Sequence, residues 1–226
     1  MPGLPAFENG MQLKSDEFMR RYGAYGEDVK AELIDGTVFI MSLPSRADQH
    51  GDPDSLLQTW LGFFGAMTRG VQSSTNSTTL MGPDDVLQPD CSLRLLPAFG
   101  GNAKTDENGY LVGAPELVVE IAASSASIDV RRKREAYRRA GVREYLVWRT
   151  EDGAVDWWAL EQGEYCSLLP DADGIVKSRM FPGLWLGPAA LLAQDGGAVL
   201  EVLHRGLESE EYGAFAARLR AMEASA

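Results

Sequence analysis

Residues 115–141 read PELVVEIAASSASIDVRRKREAYRRAG, and this stretch decides the fold. A short β-branched run at 117–122, with proline before it and small residues after it, predicts a strand buried on both faces. Residues 127–140 then predict a basic helix, which Gly141 terminates. One acid, Glu120, interrupts the apolar run. A buried carboxylate costs free energy unless a cation or hydrogen bonds compensate, so Glu120 is a candidate site residue. The alternative is an exposed strand end paired with a nearby arginine.

The composition is that of an ordinary globular protein. A chain of 226 residues can build one core, or one core with a small appendage, and its 45% hydrophobic and 24% charged residues are typical values. No window is apolar enough for a membrane span and the N-terminus lacks a signal pattern, so we expect a cytoplasmic protein without a membrane partner. Cys91 and Cys166 make no metal spacing and are expected to be free thiols.

The charge pattern limits the partners. A formal net charge of −12 disfavours broad, non-specific phosphate binding, which depends on lysine and arginine. Seven of the 21 basic residues nevertheless fall between positions 131 and 143: Arg131, Arg132, Lys133, Arg134, Arg138, Arg139 and Arg143. A solvated helix face accounts for most such runs. Because this run follows Glu120 directly, a second interpretation stays open, in which Arg131, Arg132 and Arg134 contact nucleic acid.

Further helices and one hairpin follow from local signals. A short helix is predicted at 16–22 with Ser15 as its cap, and a longer one at 48–67 with Pro53 in the first turn and Asp52 as a possible cap. Asp35-Gly36 between two β-prone runs predicts a hairpin. Gly187-Pro188 opens a short helix, and a C-terminal helix is predicted at 199–224, with pauses near Gly206 and Gly213.

The remaining segments predict strands and one long loop. Strands are expected at 71–75, 84–95, 144–148, 155–160, 165–169 and 181–186, those from 144 to 169 forming a β-meander. The strand in 84–95 is entered through Pro89 and has Asp90 at its start. Residues 97–113 predict an exposed loop or loose hairpin, and 76–80 stay undecided. We expect a flexible arm over residues 1–14, one domain over 15–195 and a helical tail over 196–226.

Three acids, Glu32, Asp90 and Glu120, fall on neighbouring predicted strands. Carboxylates that converge on one edge of a sheet suit Mg²⁺ or Mn²⁺, and such an ion lowers the pKa of a bound water and neutralises charge on a phosphate. Lys133 lies about a turn and a half into the helix after Glu120, where a long side chain can fold back. A lysine there can orient or deprotonate water and stabilise developing charge.

The order of these motifs resembles a known family. Pro89-Asp90 comes first, then the acid-bearing strand at 115–121, then the helix with Lys133 and Tyr137, then residues 140–145; the acid-containing segment at 32–36 and His50 also match. This order resembles the Uma-type (DUF820-like) restriction endonuclease family of the PD-(D/E)XK nuclease superfamily. The resemblance covers roughly residues 15–190. It implies an α+β (α/β) fold: an αβββαβ core, whose mixed central sheet is flanked by helices, with an added β-meander and C-terminal helix.

The resemblance also implies roles. Asp90 and Glu120 would hold a Mg²⁺ or Mn²⁺ ion, with the backbone carbonyl of Ile121 as a further ligand. The superfamily's lysine usually stands two residues after the second acid, where this chain has Ala122, and Lys133 would supply it from the following helix. Glu32 would be an additional acid near the metal.

Two accessory roles are left open by the resemblance. His50 would be a structural or substrate-edge residue. Tyr137 would pack against the site or hydrogen-bond to it.

Three functions are compatible with these residues. The first is a divalent-metal-dependent endonuclease that hydrolyses DNA, with Asp90, Glu120, Lys133 and Glu32 as its catalytic group. The second is a nuclease-like protein without activity, which acts as a binding module. The third is a metal hydrolase of RNA or of a small nucleotide. A homodimer that brings two basic helices together would reconcile DNA binding with the acidic composition.

Overall fold

The computed structural model describes residues 7–25, 30–40, 47–122 and 128–223. Its helices are α1 (Ser15–Tyr25), α2 (Asp52–Met67), α3 (Ile128–Ala140), α4 (Pro188–Leu192), α5 (Gly196–Leu207) and α6 (Glu210–Glu223), with a π-helical turn at Ala47–Gly51 and a 3-10 turn at Pro97–Phe99. Residues 123–127, which belong to the run of small residues after the predicted strand at 117–122, lie outside the described residues.

Fourteen short strands occur in the described residues. They are β1 (Ala31–Ile34), β2 (Thr37–Ile40), β3 (Val71–Thr75), β4 (Thr79–Leu80), β5 (Val86–Leu87), β6 (Cys91–Leu95), β7 (Lys104–Thr105), β8 (Leu111–Val112), β9 (Leu117–Ala122), β10 (Glu144–Arg149), β11 (Ala154–Glu161), β12 (Glu164–Ser167), β13 (Val176–Lys177) and β14 (Trp185–Leu186). The first sheet has the order β2-β1-β5-β4-β8-β7, the second β12-β11-β10-β9-β6-β3, and β13 pairs with β14.

Strand β9 lies inside the second sheet and is buried on both faces, as predicted. It runs parallel to β10, with α3 as the crossover, and antiparallel to β6. Leu117, Val119 and Ile121 pack into the large core that includes Leu57 and Trp60 of α2. Val118 faces the other way, into a cluster with Tyr137 and Tyr145. The β10-β11-β12 meander is also confirmed.

The hairpin predicted at Asp35-Gly36 is confirmed. Both residues have positive φ, 52° and 71°, as the favoured two-residue hairpin turn requires. The turn joins β1 to β2, and β1 also pairs with β5. This places Glu32 on a strand of the first sheet, with its side chain fully buried.

The strand predicted in 84–95, entered through Pro89 with Asp90 at its start, is confirmed as β6, but the residues before Pro89 belong to a strand of the other sheet. The chain forms β5 in the first sheet and then β6 in the second, with Gln88, Pro89 and Asp90 between them. Proline has no N–H to donate to a ladder, so pairing is interrupted there and the chain can change sheets. The crossing brings Asp90 to the start of β6.

The exposed loop predicted at 97–113 is also corrected. This segment contains the 3-10 turn and the β7-β8 hairpin, and β8 pairs in parallel with β4. Phe99, Ala103 and Leu111 are buried. The hairpin alternative is therefore confirmed, and the undecided residues before β5 supply its partner strand, β4.

The N-terminal segment is packed from residue 7 onward. Phe7 is buried and its ring centroid lies 5.0 Å from that of Phe18. The Gly10 N–H donates to the Val38 carbonyl at 2.8 Å, so residues 7–14 follow the hairpin instead of forming part of a flexible arm. Residues 1–6 of the predicted arm lie outside the described residues.

The start of α2 differs in detail from the prediction. Pro53 stands in the first turn, as predicted, but Gly51 is the N-cap and Asp52 belongs to the helix. The π-helical turn precedes it and carries His50.

The C-terminal helix predicted at 199–224 is two helices. The pause near Gly206 is confirmed, because α5 ends at Leu207, but Gly213 lies inside α6. Buried Val199 and Leu203 of α5, and Phe215 and Leu219 of α6, pack into the large core. The strand predicted at 181–186 is confined to Trp185–Leu186. No helix in the described ranges combines the length and apolar character needed to cross a bilayer.

Candidate active site

Lys133 of α3 is at the centre of a buried ionic cluster. Its Nζ lies 3.1 and 3.2 Å from the two carboxylate oxygens of Glu120, and 3.1 and 3.0 Å from those of Glu32. Lys133 is 8% exposed, Glu120 6% and Glu32 0%. The three side chains come from α3, β9 and β1, so the cluster joins the second sheet to the first. Three of the four residues predicted as catalytic therefore meet in the fold.

Glu32 is fixed by the segment that links the sheets. Its Oε1 accepts a hydrogen bond from the Gln88 N–H at 2.8 Å. Its Oε2 is buried close to the Lys133 ammonium but has no hydrogen-bond partner there. The charge of the ammonium compensates the burial of this oxygen, which keeps acceptor capacity inside the cluster.

Asp90 lies beside Glu120 because β6 and β9 run antiparallel. Its Oδ2 accepts a hydrogen bond from the Ile121 N–H at 2.8 Å, and its Oδ1 faces His50 Nε2 at 3.4 Å. The His50 side chain is 29% exposed, whereas that of Asp90 is 6% exposed. His50 therefore lies between Asp90 and solvent, from the π-helical turn ahead of α2.

Tyr137 also contacts Glu120 from α3. It follows Lys133 by one helical turn, and its hydroxyl donates to Glu120 Oε1 at 2.5 Å. Its ring is fully buried, with its centroid 5.0 Å from that of Tyr145. Tyr137 therefore packs against the site and hydrogen-bonds to it.

The charges in the cluster do not balance. Burial raises the pKa of Glu120 to about 8, and the charges of Asp90 and Glu32 add to the rise although Lys133 opposes it. Burial works to lower the pKa of Lys133, but Glu120 and Glu32 outweigh it and hold that pKa above its usual value. Lys133 thus remains an ammonium facing more carboxylate groups than it can neutralise.

Asp90 and His50 shift each other's pKa values. Burial opposes the charge of Asp90, yet the hydrogen bond to His50 and the charge of Lys133 leave its pKa below the usual range. The same hydrogen bond raises the pKa of His50, against the effect of burial. Asp90 therefore stays ionised more readily than Glu120.

The three arginines predicted to contact nucleic acid are exposed on α3. The Arg132 guanidinium lies 5.2 Å from the ring centroid of Phe39, and that of Arg134 lies 5.3 Å from that of Trp158. Arg131 and Arg132 line a groove of about 390 Å³ beside the β1-β2 hairpin. They flank the cluster without touching its acids.

Sequence reasoning missed Asp54 and Gln88. Asp54 of α2 accepts a hydrogen bond from Cys91 Sγ at 3.7 Å, and burial together with the charge of Asp90 raises its pKa. Gln88 binds Glu32 through its backbone and donates its side-chain amide to Tyr22 and Thr78. The position of Gln88 directly before Pro89-Asp90 could have indicated that it lies near the site. Nothing in the sequence indicated this for Asp54, because only the register of α2 brings Asp54 near the site.

A divalent cation such as Mg²⁺ needs several oxygen donors around one point. In the described ranges no three His, Cys, Asp or Glu side chains are placed to share one ion, and Lys133 stands between Glu32 and Glu120. The expected ligands are two carboxylates, Asp90 and Glu120, and one backbone carbonyl, that of Ile121. Oxygen-only donors, excess negative charge and the unbonded Oε2 of Glu32 fit Mg²⁺ or Mn²⁺ by chemistry.

The chain has the mixed α+β fold of a nuclease-like protein. The Uma2 family model, described as "putative restriction endonuclease", matches residues 15–191, and the chain belongs to this family. Its fold is similar to the crystal structure of a putative nuclease belonging to DUF820 from Anabaena variabilis ATCC 29413, with a TM-score of 0.63 and 17% identity over 80% of this chain and 98% of that chain. None of the curated proteins matches the chain.

Proposed function

We propose that this protein is a divalent-metal-dependent endonuclease that hydrolyses DNA phosphodiester bonds. The observation that carries the proposal is the contact of the Lys133 ammonium with Glu120 and Glu32, at 3.0–3.2 Å, next to Asp90. A buried cation among more acids than it can neutralise is an arrangement that costs stability, and such costs are concentrated at functional sites. Family membership supports the same class of reaction.

Mg²⁺ or Mn²⁺ would be held by Asp90, Glu120 and the Ile121 carbonyl, and it would supply a more acidic water and neutralise charge on the phosphate. Hydrolysis forms a bond from the water oxygen to phosphorus and breaks the bond from phosphorus to the leaving sugar oxygen; the proton lost by the water passes to solvent, and the leaving oxygen takes a proton from solvent. Lys133 stays protonated, so its role is to stabilise charge on the phosphate oxygens and not to accept the proton of water.

The other side chains position these groups. Glu32 binds the Lys133 ammonium and keeps its long side chain folded toward the site. Tyr137 fixes one oxygen of Glu120. His50 faces Asp90 from the solvent side, where a phosphate would approach. The exposed Arg131, Arg132 and Arg134 would add contacts to the phosphate backbone.

A DNA cleavage assay tests the proposal. Wild-type protein with Mg²⁺ or Mn²⁺ is expected to cleave DNA, and Asp90→Asn, Glu120→Gln and Lys133→Met are each expected to lower the rate by at least about a hundredfold. Lys177→Met is the matched control, because Lys177 pairs with Asp171 away from these residues. RNA and cyclic dinucleotides serve as substrates for the third function.

Calorimetry with Mn²⁺ separates the alternatives. Binding by wild type that disappears in the Asp90→Asn, Glu120→Gln double variant supports the ligand set. A folded protein that neither binds Mn²⁺, with and without DNA, nor cleaves any substrate would contradict the proposal and favour the binding module.

A homodimer is the proposed assembly. Two copies joined near α3 would combine their exposed arginines and offset the formal charge of −12 where DNA approaches. Sedimentation at working concentration checks this, and a monomer that cleaves DNA would contradict it.

A further inference from the structure

Strand β3 forms one end of the second sheet and carries polar side chains on the face of the site. Gln72 lies opposite Arg94, and Ser74 lies opposite Ser92, in the antiparallel β3-β6 pair. Ser92 in turn lies opposite Val118 of β9, two residues from Glu120. Directly opposed residues share a face and residues two apart along a strand also do, so Gln72, Ser74 and Arg94 lie on the face that carries Glu120.

Arg94 is buried at this place without a contacting acid. It is 5% exposed, and its guanidinium donates to Ser74 Oγ at 2.6 Å and to Gln72 Oε1 at 2.7 Å. Glu116 attracts it from beyond ion-pair distance, and Glu116 Oε2 accepts the Leu95 N–H at 2.8 Å. Across the described ranges no carboxylate forms an ion pair with Arg94. Burial lowers the pKa of the guanidinium.

A buried cation held by neutral groups has unused capacity for an anion. A guanidinium carries five N–H donors in a planar fork that matches phosphate oxygens. Two contacts to neutral oxygens do not compensate for the loss of hydration of a full charge. Because Gln72 is exposed and Ser74 half-buried, the donors of Arg94 end at a part of the surface that a ligand can reach.

The same line of residues continues to the mouth of the site. Asn76 follows β3, and its N–H donates to the Asp90 carbonyl at 3.1 Å. Its φ is 48°, a left-handed conformation that asparagine tolerates. Asn76 Oδ1 accepts a hydrogen bond from Lys30 Nζ at 3.2 Å, and Lys30 is close enough to His50 to oppose its protonation.

We propose that Gln72, Ser74, Asn76, Arg94 and Lys30 form a strip that binds the phosphodiester backbone of a nucleic-acid strand and leads it past Asp90. The strip has two cations, two amides and a hydroxyl and contains no acid, on a chain whose formal charge is −12. These are the side-chain types that contact phosphates in nucleic-acid complexes. The inference rests on the proposed function, since it supplies the substrate contacts of that same site.

Binding of labelled oligonucleotides tests the strip directly. Fluorescence anisotropy with Ca²⁺ in place of Mg²⁺ measures affinity, with single-stranded DNA, duplex DNA and RNA in separate arms. Arg94→Gln and Lys30→Gln are each expected to weaken binding about tenfold and to lower the slope of log affinity against log salt by about 1. Asn76→Gly keeps the left-handed backbone but removes the amide, and a smaller loss is expected.

Two controls keep the result interpretable. Arg69→Gln removes an exposed arginine that pairs with Glu223, outside the strip, and is expected to bind as wild type does. Arg94→Lys retains the positive charge but not the planar guanidinium, and it too should bind more weakly than wild type. It is used in place of Arg94→Gln if circular dichroism shows that Arg94→Gln does not fold.

The outcomes distinguish the strip from the proposed function. The proposal of the strip alone would be overturned by one pattern of results. In that pattern the Arg94, Lys30 and Asn76 variants bind with the affinity and salt slope of wild type, and Arg131→Gln and Arg134→Gln bind more weakly. Cleavage by wild type would then still support the proposed function. A wild-type protein that binds none of the three oligonucleotides would overturn both.

Discussion

Replacing Lys133 by methionine provides a direct physical test of the cluster. Methionine fills similar space but removes the ammonium that contacts Glu120 and Glu32, leaving acids that are at most 6% exposed. Removing one partner from a buried ion pair costs about 3–5 kcal/mol of unfolding free energy. Domains of this kind have about 5–15 kcal/mol in total, so we expect a folded variant with a large part of its stability lost.

The cost is expected to depend on pH. The folded-state pKa of Glu120, about 8, lies above its ordinary value of 4.5, so the folded chain keeps a proton that the unfolded chain loses in this window. Wild-type stability from this group is therefore fully present below about pH 4.5 and declines as pH rises to about 8. Loss of Lys133 raises the Glu120 pKa further. Wild type and variant then lose stability in parallel up to about pH 8 and diverge above it, so the cost of Lys133→Met should be larger at about pH 9.5 than at about pH 5.5.

Urea unfolding followed by tryptophan fluorescence measures this, because Trp60 and Trp148 are buried in the core. The experiment is done in EDTA at both pH values. Lys177→Met is the control: its pair with Asp171, at 2.9 Å, is exposed, and about 1 kcal/mol or less is expected. A cost for Lys133→Met that is no larger than that of the control, or that is the same at both pH values, would refute the reasoning.

Three further substitutions test other contacts. Tyr137→Phe removes the donor to Glu120 Oε1 and should cost about 1–3 kcal/mol in urea unfolding and slow cleavage; an unchanged midpoint and rate would contradict this. The Glu144 carboxylate accepts four hydrogen bonds, from the N–H groups of Arg179 and Met180, the Ser178 hydroxyl and the Trp157 indole. In Glu144→Gln the amide cannot accept all four, so we expect a loss of about 3 kcal/mol of unfolding free energy. A variant as stable as wild type would contradict this. Gly206→Ala places a Cβ 2.2 Å from the Gly183 carbonyl oxygen and should lower the melting temperature. Gly213→Ala places its Cβ in open space inside α6 and should leave the melting temperature equal or higher. The reverse order of melting temperatures would refute the packing argument.

Local patterns were sufficient for the strand and helix that carry Glu120 and Lys133. An apolar run followed by a small-residue turn and a basic helix defines a crossover to a parallel strand, and the structure has β9, α3 and β10 in that order. The approach of Lys133 to Glu120 then follows from a helix lying across its own preceding strand. The Asp35-Gly36 hairpin was equally local, since two left-handed residues fix the turn.

Segments whose structure depends on distant partners were not predictable. Strands β7 and β8 have two residues each, too few for an alternation to be visible, and they exist because β4 offers a partner. Gly213 was expected to interrupt its helix because glycine disfavours helices by about 1 kcal/mol. Burial of Phe215 and Leu219 against the core outweighs that preference. Pro89 indicated where strand pairing is interrupted, but nothing in the sequence indicated that the chain changes sheets there.

The partners of the site acids show the same limit. Asp54 and Asn76 lie next to Asp90 only through the register of α2 and β3. Arg94 lies in a strand whose five residues are all buried, so burial pattern alone gives no sign that its charge lacks an acid.

Glu32 lies on β1 of the first sheet and Lys133 on α3, which follows β9 of the second sheet, and their separation in the chain has a consequence for protein synthesis. These residues are 101 positions apart in the chain, and the link between Glu32 and Gln88 spans 56. Contacts between distant segments form late, because closing large loops costs entropy before the contacts repay it. A nascent chain still lacking α3 would have Asp90 and Glu120 but not the ammonium beside them. The complete site would therefore form only after the two sheets have packed together.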